Sequence, residues 1–120
     1  MSDYNITIVR GRTYTWAGQV TVFGSGEDLT GQHMLFIAKY DLRDPDSAAV
    51  FSLTDGAGIT YTSPVGGEFT VTIGASDTSG LSDQDEAIEL EYELIYQKSV
   101  GLKYSIMSGQ LIVLPRAAVA

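Results

Sequence analysis

Gly67-Glu68-Phe69-Thr70-Val71-Thr72-Ile73 sets its large apolar residues on odd positions and its polar ones on even positions. That alternation is the mark of a strand with one buried face. A second stretch, Glu91-Tyr92-Glu93-Leu94-Ile95-Tyr96, carries Tyr, Leu and Tyr on even positions while Glu91 and Glu93 point the other way. Two strands that each offer one apolar face bury them by packing two sheets together, so the chain is constrained to a sandwich.

The rest of the sequence repeats this pattern. Ile6 and Ile8 mark a first strand, and Gly11 permits a turn. From Thr13 onward Tyr14, Trp16, Val20 and Val22 stay in phase across Gly18, predicting one long strand with a bend or bulge at the glycine. Residues 24–31 form a loop by composition, with Leu29 as its one plug into the core. The strand over 33–40 is apolar on nearly every position and is expected to be central and covered on both faces. Pro45 and its neighbouring aspartates break the chain before a short strand at Val50, Phe51 and Leu53. Another strand follows at Ile59-Thr60-Tyr61-Thr62. A single helical turn fits within 75–87, where Ser82 and Asp85 have the spacing of a capping box. The strand over 88–97 then turns at Lys98-Ser99-Val100-Gly101 into an antiparallel partner. Ser108-Gly109 is expected to bulge or turn the chain into Leu111-Ile112-Val113-Leu114.

Short strands with Gly and Pro between them predict an all-β chain: one antiparallel, immunoglobulin-like β-sandwich of about seven to nine strands. It lacks the disulfide and tryptophan pattern of antibody domains. One domain is expected over residues 1–120, with flexible ends at 1–4 and 116–120.

Charge and composition exclude several function classes. The formal net charge of -8 and seven scattered basic residues argue against nucleic acid, which needs clustered Lys and Arg. With no cysteine there is no disulfide, thiolate metal site or thiol nucleophile. No apolar run is long enough to span a membrane, and Met1-Ser2-Asp3-Tyr4-Asn5 shows no secretory pattern, so cytosolic synthesis is expected.

Catalytic signatures are missing too. The one histidine, His33, leaves a serine without a characteristic base and zinc without enough ligands. Calcium is the better metal candidate, from Asp41, Asp44 and Asp46 or from Asp77, Asp83, Asp85 and Glu86. Solvated turn carboxylates explain both groups, and no metal, cofactor or enzymatic activity is expected. Glu89, Glu91 and Glu93 share one strand face at a spacing of ~6.7 Å, so they need solvent or a cationic neighbour. They read as an exposed face discouraging edge pairing, or as a docking face for a basic partner. Tyr14, Trp16, Tyr61, Tyr92, Tyr96 and Tyr104 supply core or, alternatively, the aromatic platform of a carbohydrate-binding module.

The early long strand, the loop Glu27-Asp28-Leu29-Thr30-Gly31 and the segment 67–73 resemble small tail and baseplate proteins of bacteriophages. So do the linker Asp77-Thr78-Ser79-Gly80-Leu81 and the run Gly109-Gln110-Leu111-Ile112-Val113. Within that group the chain is similar to the immunoglobulin-like N-terminal domain of phage baseplate upper proteins. This resemblance implies a non-enzymatic virion structural or assembly protein in a tail, baseplate or head-associated position. Its implied partners are other virion proteins and further copies of itself, and its place is the virion, assembled in the bacterial cytoplasm. Tyr4 and Arg116, in the two tails, join Glu89, Glu91 and Glu93 as candidate partner-contacting residues, the tails by strand addition.

Overall fold

The computed structural model describes residues 5–22, 24–79, 87–98 and 103–114. The chain forms β1 (Ile6–Val9), β2 (Tyr14–Gln19), β3 (Thr21–Val22), β4 (Ser25–Gly26) and β5 (His33–Lys39). A 3-10 turn (Asp46–Ala48) precedes β6 (Phe51–Asp55), β7 (Gly58–Ser63) and β8 (Glu68–Ile73). Then come a short helix α1 (Ala75–Ser79), β9 (Ile88–Gln97) and β10 (Lys103–Leu114).

Eight strands run in the order β1-β10-β9-β5-β6-β7-β8-β2, and β3 pairs with β4 in a separate hairpin. The ladder between β6 and β7 has only two residue pairs, Thr54 with Gly58 and Asp55 with Ile59. At this narrow joint the sheet folds over, so that β2, β8 and β7 face β10, β9 and β5. Alternation decides which side chains meet there. Phe69, Val71 and Ile73 of β8 are buried, as are Leu90, Tyr92, Leu94 and Tyr96 of β9. Phe36 joins the layers: the Trp16 ring of β2 meets it edge-on at 5.6 Å, and the Tyr92 ring stacks on it at 5.1 Å.

Two pairings are parallel, β1 with β10 and β6 with β7, where an antiparallel arrangement was expected. Side-chain alternation reads the same in either strand direction, so the sequence pattern carries no information on this point. The expected long strand over 13–22 is divided at Val20, whose N–H still donates to the Gly67 carbonyl at 2.9 Å: β2 ends at Gln19, and beyond Val20 the chain pairs with β4 as β3. Gly18 marks no bulge, for β2 keeps an unbroken register with β8. Its missing Cβ makes room for the Phe69 ring, whose Cζ would lie only 2.7 Å from it. The bulge of β10 falls between Ser105 and Met107, not at Ser108-Gly109.

β5 is central, between β9 and β6, and both its faces are covered. Met34, Phe36 and Ala38 enter the core, while Ile37 and Lys39 are buried on the outer side. In α1, Asp77 accepts from the Gly74 N–H at 2.7 Å, and the buried Thr78 hydroxyl accepts from Gly11 N–H at 2.9 Å, pinning the turn between β1 and β2. The helical turn thus starts earlier than Ser82 and Asp85, which lie outside the described residues.

Candidate binding cleft and the acidic strand face

Glu89, Glu91 and Glu93 do share the outer face of β9, but they are not a uniform exposed row. Glu89 is exposed, whereas Glu91 and Glu93 are half-buried. Glu91 accepts a hydrogen bond from the Leu42 N–H at 2.8 Å, and Lys39 stands opposite it in the β5 register. The buried Lys39 ammonium reaches the Asp44 carbonyl at 2.6 Å and the Asp46 carboxylate at 2.9 Å. One acidic and one basic side chain of adjacent strands therefore hold the loop 41–46 against the sheet. The lysine hydrogen bond lowers the Asp46 pKa, and the Arg43 guanidinium holds Asp41 down at about 2. Of the candidate calcium ligands, the Asp41 and Asp46 carboxylates are engaged by Arg43 and Lys39, Asp77 accepts from the Gly74 N–H, and Asp44 is held through its backbone carbonyl. Among the described residues no cluster of three or more His, Asp or Glu could hold a metal ion. Tyr4 and Arg116 lie outside the described residues, as do Asp83, Asp85 and Glu86.

At the opposite end of β9, the loop after β2 builds a cleft. Gly67, at φ +77, brings its backbone against this loop so closely that a Cβ would lie 2.5 Å from the Val20 carbonyl oxygen and 2.7 Å from that of Glu27. The Glu27 N–H donates to Val20 O at 2.8 Å, and the fully buried Leu29 plugs into the core while its N–H donates to Pro64 O at 2.7 Å. Glu27 is thereby carried on fixed backbone to the ends of β9 and β10. There its Oε2 meets the Lys98 ammonium at 3.1 Å and accepts from the Tyr96 hydroxyl at 3.4 Å. Burial, aided by the Glu27 charge, pushes the Tyr96 hydroxyl up to about 12. The Tyr104 ring stacks on Tyr96 with centroids 6.4 Å apart and is 48% exposed. Together with Gln19, Thr21 and Ser105 these residues line a cleft of about 590 Å³.

Beside it, on the other side of β9, His33 Nδ1 lies 3.1 Å from an Asp55 carboxylate oxygen, and the other oxygen accepts from Met34 N–H at 3.1 Å. An oriented imidazole is one component of nucleophilic sites. This one is 64% exposed in an open hollow, lined also by Thr54 and Gln97. The expected aromatic platform is dispersed. Tyr92 and Tyr96 are buried, and Tyr14, Trp16 and Tyr61 are partly buried against the core; only Tyr104 of the six is exposed. Sequence reasoning singled out neither Glu27 nor Lys98, for their meeting spans distant parts of the chain.

The fold is that of an immunoglobulin-like β-sandwich, all-β and with mixed strand directions. Among solved structures the chain is similar to "The three dimensional structure of NK cell receptor Nkp44, a triggering partner in natural cytotoxicity". The TM-score is 0.52 at 15% identity, covering 96% of this chain and 99% of that one. At this identity the likeness describes the fold alone. No family model and no curated protein matches the sequence.

Proposed function

We propose that the chain is a non-enzymatic structural protein of a bacteriophage virion, in a tail, baseplate or head-associated position, working through contacts with other virion proteins and with its own copies. The sequence resemblance to phage baseplate proteins supports this reading. The observation that carries it is the edge of β2. Among the described residues β2 pairs with β8 on one side and with no strand on the other. Its six residues, Tyr-Thr-Trp-Ala-Gly-Gln, include no charge and no proline, and no bulge interrupts it. Edges that must stay single are protected by such features, whereas an unprotected edge accepts a strand from a neighbour.

The test is the solution mass of the purified chain by light scattering, together with its presence in purified particles. A defined oligomer that Ala17→Lys dissociates, or copurification with virions, is expected. A strict monomer absent from particles overturns the proposal.

A further inference from the structure

The cleft between the segment 20–29 and the ends of β9 and β10 meets the edge strand β2 at its last residue, Gln19, and does not require strand addition there. Among the described residues its charged lining is Glu27 and Lys98, which neutralise each other at 3.1 Å. In a chain of net charge -8 this pocket selects neither a cation nor an anion. Hydrogen-bonding capacity remains on both sides. Among the described residues the contacts of the Glu27 carboxylate fall on Oε2, and Oε1 is a further acceptor; Lys98 has further ammonium protons. The Gln19 amide gives its nitrogen to the Gly66 carbonyl at 2.8 Å and keeps its oxygen as an acceptor. Paired donors and acceptors of this kind match the vicinal hydroxyls of a sugar, each of which donates and accepts. The Tyr104 ring completes the set. One face rests on Tyr96, and its 48% exposure leaves apolar ring surface for the C–H face of a pyranose. A volume of about 590 Å³ lies within the ~300–1,000 Å³ of small-molecule sites.

From this geometry we infer that the cleft is a binding site for a neutral saccharide of one or two rings. Tyr104 supplies the stacking surface, and Glu27, Lys98 and Gln19 supply the hydroxyl contacts. The site stands independently of the assembly reading, since a monomer contains all of it.

The experiment is saturation-transfer difference NMR on the full chain with maltose, cellobiose, lactose and diacetylchitobiose, each at about 10 mM, where even a millimolar Kd registers. Sialyllactose and glucosamine serve as charged comparisons. Transfer to at least one neutral disaccharide is expected. Tyr104→Ala should weaken it at least about tenfold, Tyr104→Phe should retain it, and Tyr40→Ala, which removes a 60% exposed ring at the far end of β5, should leave it unchanged. Silence across the neutral panel, tighter binding of a charged sugar, or equal binding by wild type and Tyr104→Ala overturns the inference. The two tyrosine-104 variants separate lost stacking from a lost fold, because the phenylalanine keeps the ring.

Discussion

Substituting Gly67 by alanine tests how the cleft is held. The residue sits at φ +77, where an L side chain costs about 1–2 kcal/mol, and its new Cβ would lie 2.5 Å from Val20 O, 2.7 Å from Glu27 O and 2.9 Å from Glu27 N. All three are backbone atoms that no rotamer change can move, so an overpacking cost of about 1–3 kcal/mol adds to the strain. Gly31 is the control: its φ is +75, yet nothing lies within 4 Å of its would-be Cβ, so alanine there suffers the strain alone. Urea unfolding should place Gly67→Ala about 1–3 kcal/mol below Gly31→Ala. Thermal midpoints should separate by roughly 3–5 °C for each of those kcal/mol in a chain of this length. If the two variants unfold within about 0.5 kcal/mol of each other, the ordinary scatter of a surface change, the close approach of the two loops is not what secures Glu27.

Other consequences are simpler to check. Leu29→Ala removes a fully buried plug and should cost about 2–5 kcal/mol in urea unfolding; a loss under about 1 kcal/mol would mean that the loop carrying Glu27 is not anchored there. Lys39→Met should leave global stability nearly unchanged, since an apolar side chain replaces a buried cation and its partner Asp46, 77% exposed, is left to solvent and not as a buried charge. It should nevertheless accelerate proteolytic cleavage within 41–46, and equal cleavage rates would show that Lys39 does not hold that loop. On the alkaline side, Tyr96 and Tyr61 both have raised pKa values, chiefly through burial. Their contribution to stability is complete below the ordinary tyrosine value of 10; that of Tyr96 is lost as pH rises towards about 12, where it ionises, and that of Tyr61 at higher pH still. Absorbance titration should show a late-ionising tyrosine that Tyr96→Phe removes; an unchanged curve refutes this.

The layout of strands was legible wherever one face is core and the other wet. Phe69, Val71 and Ile73 alternate strictly and are all buried, and the continuous apolar run of β5 correctly marked a strand covered on both faces. The failures occur where a residue answers to something distant in sequence. Gly18 serves the ring of Phe69, the chain beyond Val20 turns from β8 to pair with β4, and Glu91 is engaged by the backbone of Leu42. Strand direction at β1 and β6 is invisible to alternation, which has the same period either way. The cleft was the least legible part, because Glu27 and Lys98 come together through a folded loop and no local spacing announces them. The adjacent glycines 66 and 67 were the one available signal, since paired glycines mark a close backbone approach.

The parallel pairing of Ile6, Thr7, Ile8 and Val9 with Leu111, Ile112, Val113 and Leu114 also governs the timetable of folding. During synthesis β1 emerges ahead of β10, its partner among the described residues, by about 5–20 s at ordinary rates of translation. Until then Ile6 and Ile8, which end at 2% and 3% exposure, have no sheet to join. Contacts of such long sequence separation close slowly, because the whole intervening loop must be ordered before they add anything. β1 is thus made well before β10 arrives to shelter it. The crowded neighbourhood of a polysome, with many copies emerging side by side, is where this chain is most exposed to pairing with the wrong molecule.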